Sequence, residues 1–174
     1  MHNLGFSYET GKGAPRNFIE AMRWYRKGAE GGSGAAMRRL GLAYQNGEGV
    51  AENPAEALHW YRKAADAGNA LGMTDVGLAY QNGRGVAKNP AEALRWYRMA
   101  ADADGSGGMN HLGVAYQRGL GVARDPVEAL RWFRKAAEAG NAIAMENLGK
   151  AYRDGDGVAK DEAEAARWLQ KARQ

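Results

Sequence analysis

The five tryptophans of this 174-residue chain are spaced 36 residues apart, at Trp24, Trp60, Trp96, Trp132 and Trp168. Four other columns share the period: Gly5, Gly41, Gly77, Gly113 and Gly149; Tyr8, Tyr44, Tyr80, Tyr116 and Tyr152; Ala21, Ala57, Ala93, Ala129 and Ala165; and Met37, Met73, Met109 and Met145, with Met1 in the same column. Such a period indicates a repeat architecture, because each unit buries its apolar face only by stacking on its neighbours. The sequence therefore predicts five repeats in a single domain, at residues 1–32, 33–68, 69–104, 105–140 and 141–174. We expect the first repeat to lack its opening turn and the last to end in a polar cap.

Each repeat contains two predicted helices, which we call helix A and helix B. In the second repeat the apolar residues of helix A are Met37, Leu40, Gly41 and Tyr44, and those of helix B are Ala57, Trp60, Tyr61 and Ala64. Both sets have the spacing i, i+3, i+4, i+7 of one helix face, so we expect the tryptophans to pack in the core. The linkers between repeats are about two residues long, which favours antiparallel packing. The predicted fold is all-α, a right-handed α/α superhelix of helix-turn-helix repeats.

Turn and cap residues mark the ends of these helices. Asn53 is a good N-cap before Pro54, and Glu56 completes a pattern that resembles a capping box. Gly68 is suited to a left-handed C-cap, and Asn69 to capping the next helix A. We interpret the recurring Gly-x-Gly loop as a turn with positive φ. A phosphate loop would run directly into its helix, whereas here Val50 to Asn53 intervene.

The junction between the third and fourth repeats departs from this pattern. Asp104-Gly105-Ser106-Gly107-Gly108 stands where the preceding junction has Gly68-Asn69-Ala70-Leu71-Gly72. The change removes the asparagine cap and adds glycine, which disfavours a helix by about 1 kcal/mol relative to alanine. We therefore expect helix A of the fourth repeat to begin late.

Helix A, the Gly47-x-Gly49-Val50 loop and the Asn53-x-x-Glu56-Ala57-x-x-Trp60 stretch together resemble the Sel1-like repeat family, which is related to the tetratricopeptide repeats. The resemblance covers essentially the whole chain. The tetratricopeptide period is about 34 residues, and its turn lacks the Gly-x-Gly-Val insertion. The first repeat departs from the family pattern, because it has Ala14 in the Val50 column and Phe18 in the Pro54 column. The resemblance implies an interaction scaffold that binds a protein or peptide and is not an enzyme.

The composition excludes several kinds of chemistry. The chain has no cysteine, so it has no disulfide, thiolate metal site or thiol nucleophile. Its three histidines occupy unrelated repeat positions without the spacing of a metal site, so we read them as surface residues and expect no metal or cofactor. An enzyme such as a hydrolase would need a site that no motif reveals. No apolar run approaches the roughly 18 residues of a membrane span. No signal peptide is visible, and the sequence is compatible with either the bacterial cytoplasm or the periplasm.

The variable positions of helix A are the candidate binding site. By analogy with tetratricopeptide repeats, helix A lines the concave side, and its columns opposite the core vary along the chain. An apolar strip, amides suited to a peptide backbone and a charge that changes from basic to mixed predict a groove for a peptide or partner protein. The alternative is that the Leu42 column packs against a neighbouring helix A. The candidate residues are Arg38, Arg39, Leu42, Gln45, Asn46, Leu71, Thr74, Asp75, Leu78, Gln81, Asn82, Asn110, His111, Val114, Gln117 and Arg118.

A basic ridge on helix B supports a second hypothesis. The formal net charge is +4, and arginines and lysines recur on the convex side, at Arg23, Arg26, Lys27, Arg62, Lys63, Arg95, Arg98, Arg131, Arg134 and Lys135. Such a ridge can bind nucleic acid or an acidic polymer. A solvated face is the simpler interpretation, because glutamates lie within a turn of the basic residues. We therefore expect nucleic acid to be the less favoured partner.

Overall fold

The computed structural model describes residues 2–174, and within them it contains ten α-helices and no strand. The helices are α1 (His2–Thr10), α2 (Phe18–Glu30), α3 (Gly34–Asn46), α4 (Pro54–Asp66), α5 (Ala70–Asn82), α6 (Pro90–Asp102), α7 (Ser106–Arg118), α8 (Pro126–Glu138), α9 (Ala142–Asp154) and α10 (Glu162–Lys171). Odd-numbered helices are the A helices and even-numbered ones the B helices. Met1, assigned to the methionine column, lies outside the described residues.

The helices group into two compact units, Met1–Lys88 and Asn89–Gln174. Within each unit every helix packs against the next one along the chain, as the short linkers predict. The all-α prediction is confirmed, whereas the single-domain arrangement stays a prediction. Among the described residues, no helix is both long and apolar enough to cross a membrane.

The cap residues of α2, α4, α8 and α10 hold these B helices and also tie each of them to the preceding helix A. The side chain of Asn53 accepts a hydrogen bond from the Glu56 N–H at 3.1 Å, which confirms the predicted N-cap. The backbone N–H of Asn53 donates to the carbonyl of Tyr44 at 2.8 Å, so it is not available to the glutamate. The reciprocal half of the expected capping box is therefore absent at this cap. The glutamate columns instead form ion pairs with arginines three residues on, at Glu20–Arg23, Glu92–Arg95, Glu128–Arg131 and Glu164–Arg167.

The Gly-x-Gly loop adopts the left-handed turn that its sequence predicts. In the fourth repeat Gly119 caps α7 at φ 71°, and Gly121 has φ 72°. A Cβ on Gly121 would lie 2.4 Å from the carbonyl oxygen of Pro90, at the start of α6. The second glycine is therefore needed both for its dihedral angle and for close approach to the preceding helix B.

The core is centred on a leucine or valine column of helix A and an aromatic column of helix B. Leu40, Val76, Leu112 and Leu148 are fully buried, and Tyr25, Tyr61, Tyr97 and Phe133 are at most 2% exposed. Tyr61 packs so closely on α3 that a Cβ on Gly41 would lie 2.4 Å from its ring.

The tryptophans lie at the margin of this core and are half-buried. Trp60 packs against the core cluster of the N-terminal unit. The Lys63 ammonium lies over its ring, 4.7 Å from the centroid. The expected core position of the tryptophans is therefore correct for only part of each ring.

The fourth repeat does not begin late. Helix α7 starts at Ser106, in register with α3, α5 and α9, although its N-cap Gly105 makes no side-chain hydrogen bond. The prediction was wrong because packing and backbone hydrogen bonds fix this turn. The Gly105 N–H donates to the Ala100 carbonyl at 2.8 Å, and a Cβ on Gly108 would lie 2.5 Å from that of Ala100. The weakness of the junction is instead local, because Asp104 has a φ of +56° at a position where Gly32, Gly68 and Gly140 stand in other repeats.

Candidate functional site

The predicted groove residues lie on A helices of both units, and we describe each unit separately. The N-terminal helix-A face consists of the candidate residues on α3 and α5, from Arg38 to Asn82. The C-terminal helix-A face consists of those on α7, from Asn110 to Arg118.

The apolar part of the N-terminal helix-A face is graded in exposure. Leu71, in the first turn of α5, is 52% exposed, and Leu78 lies on the same side two turns further along that helix. Leu42 and Leu78 are half-buried, and α3 and α5 contact each other directly. Packing between neighbouring A helices therefore accounts for part of the predicted strip, and Leu71 is its most exposed member.

The charges of this face are paired. Arg38 Nε donates to Asp75 Oδ2 at 2.5 Å, and Arg39 Nη1 donates to Glu9 Oε1 at 2.9 Å. Burial raises the pKa of Asp75, and the Arg38 guanidinium opposes that rise. The expected basic end of the groove is therefore wrong, because both arginines are neutralised by acids of neighbouring A helices.

Gln45 connects this face to the core. The Tyr61 hydroxyl donates to Gln45 Oε1 at 3.2 Å, and burial raises the pKa of that hydroxyl. The amide nitrogen of Gln45 carries two donors in addition. Beside it lies a cavity of about 260 Å³, whose polar lining includes Glu52 and Arg84.

The remaining residues of this face differ in exposure. Asn46 and Asn82, at the ends of α3 and α5, are exposed, and Gln81 is half-buried. Thr74 is only 7% exposed and donates to the Ala70 carbonyl at 2.9 Å. It is therefore not accessible to a partner, contrary to expectation.

The C-terminal helix-A face is more internal than predicted. Asn110 is 6% exposed and accepts a hydrogen bond from Asn147 at 3.0 Å. Val114 packs against the core cluster of this unit. Both residues therefore serve helix packing.

His111 is half-buried and stacks on the Tyr97 ring, with the centroids 4.8 Å apart and the planes at 15°. Burial lowers its pKa. The interpretation of the histidines as surface residues is wrong for His111 and correct for His59, whereas the His2 side chain lies outside the part that the structure describes.

Gln117 and Arg118 complete this face. Gln117 donates to Asp156 at 3.0 Å, and Arg124 donates to the same carboxylate at 2.7 Å. In this repeat Phe133 takes the place of Tyr61, so no hydroxyl is present to occupy the glutamine. Arg118 is exposed.

The sequence did not reveal that Glu9, Tyr61 and Asp156 form hydrogen bonds with residues of the helix-A faces. One available signal was the replacement of tyrosine by phenylalanine in the helix-B column of the fourth repeat.

Several basic residues of helix B hold repeats together. Arginines donate to tyrosine hydroxyls of the next helix A, at Arg62–Tyr80 (2.7 Å), Arg98–Tyr116 (2.8 Å) and Arg134–Tyr152 (2.5 Å). Lysines lie over tryptophan rings, at Lys27–Trp24, Lys63–Trp60, Lys135–Trp132 and Lys171–Trp168. Much of the ridge therefore has an intramolecular role, which weakens the case for polyanion binding.

Comparison with known proteins gives the family. A model of the Sel1 repeat matches residues 1–33, 34–69, 70–105, 106–141 and 142–174. The chain belongs to the Sel1 repeat family. Sel1 repeats are generally protein–protein interaction scaffolds and generally lack enzymatic activity. No curated protein is similar enough to count as a relative.

Solved structures agree with this assignment. A Sel1 repeat protein from Oxalobacter formigenes is 35% identical with a TM-score of 0.89, over 99% of this chain and 68% of that one. A protective antigen present in uropathogenic Escherichia coli is 35% identical with a TM-score of 0.82, over 99% of this chain and 37% of that one. An immunity protein from Pseudomonas aeruginosa is 25% identical with a TM-score of 0.72, over 98% of this chain and 63% of that one. This Sel1 repeat chain thus spans 37% of the length of the Escherichia coli antigen.

Proposed function

We propose that this protein binds a peptide segment of a partner protein on its helix-A faces. The observation that carries the proposal is the exposed Leu71, which lies on the same side of α5 as the half-buried Leu78. An apolar side chain of the partner would cover Leu71 and extend the contact to Leu78. Fully covering a leucine side chain contributes about 1.5–3 kcal/mol, so a small number of such contacts gives measurable affinity.

Polar groups around this strip suit a peptide backbone. Asn46 and Asn82 are exposed, and each offers both a donor and an acceptor, as a peptide group requires. The ion pairs of Arg38 and Arg39 leave the face near neutrality. We therefore expect the bound segment to be apolar and uncharged at its centre.

The rival hypothesis places the partner on helix B. It predicts binding to a polyanion that weakens steeply with salt, since phosphate contacts release counterions. The proposed groove instead predicts a weak salt dependence. The roles of Arg62, Arg98 and Arg134 in contacts between repeats favour the groove.

Site-specific photocrosslinking tests the proposal. Leu71 and Ile19 are matched positions, because each is the second residue of its helix and each is exposed, at 52% and 66%. Leu71 lies on a helix A and Ile19 on a helix B. With benzoylphenylalanine at either position, we expect a partner protein to be crosslinked from Leu71 and not from Ile19. Crosslinking from Ile19 alone would contradict the proposal.

A further inference from the structure

A cleft of about 650 Å³ opens between the two B helices of the N-terminal unit, α2 and α4. Its volume lies within the roughly 300–1,000 Å³ range of ligand sites. Met37 and Trp60 contribute apolar surface, and charged residues of α2 and α4 line it as well. The cleft contains no residue of the helix-A faces and is therefore separate from the proposed groove.

An arginine hydrogen bond that recurs in later repeats is absent beside this cleft. Arg62, Arg98 and Arg134 each donate to a tyrosine hydroxyl of the next helix A. Arg26 occupies the same column, and Tyr44 the matching tyrosine column, but no hydrogen bond joins these two described residues. The Arg26 side chain instead lines the cleft together with Trp60, and the Lys63 ammonium covers part of the Trp60 ring.

The charges of the cleft are arranged in two pairs. Arg26 and Lys63 come first along α2 and α4, and Glu30 and Asp66 follow about one turn later, about 6 Å further along α2 and about 4.5 Å further along α4. None of these four described side chains forms an ion pair. Because B helices run in the same direction in an antiparallel repeat, both cations lie at one end of the cleft and both acids at the other.

We propose that this cleft is a second protein-binding site, which takes an apolar side chain of a partner that lies between an acidic and a basic residue. The apolar side chain contacts Trp60 and Met37, whose ring and thioether suit an aromatic or aliphatic group. The partner's acid faces Arg26 and Lys63, and its base faces Glu30 and Asp66. A polyanion is disfavoured here, because the two acids repel it.

Fluorine NMR on the full chain labelled with 5-fluorotryptophan tests this inference. The five tryptophan signals are assigned with single Trp→Phe variants, and the probe is the peptide acetyl-Glu-Ala-Phe-Ala-Lys-amide. We expect the Trp60 signal to shift on titration while the Trp132 signal does not. A peptide with glutamine at both charged positions should bind about tenfold more weakly, since it loses two exposed ion pairs.

Two pairs of variants provide the controls. Ala67→Phe fills the cleft from an exposed position and should abolish the shift, whereas Ala139→Phe, at the same repeat position of the other unit, should leave it unchanged. Lys63→Glu should remove the preference for the charged peptide, and Lys135→Glu should keep it. The inference is overturned if Trp60 does not respond, if the charged and neutral peptides bind equally, or if Ala67→Phe and Lys63→Glu, both folded, bind as the unmodified protein does. None of these outcomes depends on the helix-A faces.

Discussion

The close approach of each Gly-x-Gly loop to the preceding helix B makes a quantitative prediction. Gly121 and Gly140 belong to the same unit and have similar positive φ angles, 72° and 82°. A Cβ on Gly140 would meet nothing within 4 Å, whereas one on Gly121 would lie 2.4 Å from the Pro90 carbonyl oxygen. The two positions therefore share the dihedral cost of an alanine and differ in the steric one.

We expect Gly140→Ala to lower the free energy of unfolding by about 1–2 kcal/mol, which is the cost of a left-handed conformation for a residue with a Cβ. Gly121→Ala should lower the free energy of unfolding by about 1–3 kcal/mol more than that, because the backbone is displaced, so that its total loss is about 2–5 kcal/mol. Urea denaturation followed by far-ultraviolet circular dichroism measures both values. Equal losses for the two variants would refute the reasoning, because the loop would then not be held against α6.

Three further predictions concern single side chains. The pKa of His111 is held below its ordinary value of 6.5 by burial, so the unfolded chain takes up a proton that the folded protein does not, and stability should fall as the pH drops below about 6.5. Urea midpoints at about pH 7.5 and pH 5.5 should therefore differ less for His111→Gln than for the unmodified protein. Asp104→Gly should raise the free energy of unfolding by about 1 kcal/mol by relieving a positive φ, and an unchanged midpoint would count against strain there. Met99 occupies the position at which the other repeats have a lysine over the tryptophan ring. Met99→Lys should therefore raise the free energy of unfolding by about 0.5–1 kcal/mol, and Met99→Gln should not.

The repeat period was sufficient to predict the helices, because each turn recurs with the same residues. Asn53 and Gly68 act through hydrogen bonds and dihedral angles that are local in sequence, so their roles could be read directly. The late start predicted for α7 was wrong for the opposite reason. Contacts with Ala100 on the preceding helix hold that turn, and tertiary packing overrides the low helix propensity of glycine.

The candidate site was less predictable, because its residues contact partners that occupy other positions of the repeat. Arg38 pairs with Asp75, which belongs to the next column of the following repeat, so a comparison within columns does not reveal the pair. Gln45 is held by Tyr61 on the other helix of its own repeat. Trp60 and Tyr61 are adjacent on α4, and the structure buries the tyrosine, which packs against Gly41, more fully than the tryptophan.

The claim that the partner binds the helix-A face is tested most directly by the affinity for the partner that photocrosslinking identifies. Leu71→Asp and Ile19→Asp place the same charge at the second position of a helix, at sites that are already exposed, so both variants should fold like the unmodified protein. Isothermal titration should show that Leu71→Asp weakens binding by about tenfold or more, because it removes an apolar contact and brings a charge into the interface, while Ile19→Asp binds as the unmodified protein does. If Leu71→Asp binds normally and Ile19→Asp does not, the partner lies on helix B and the proposed groove is wrong.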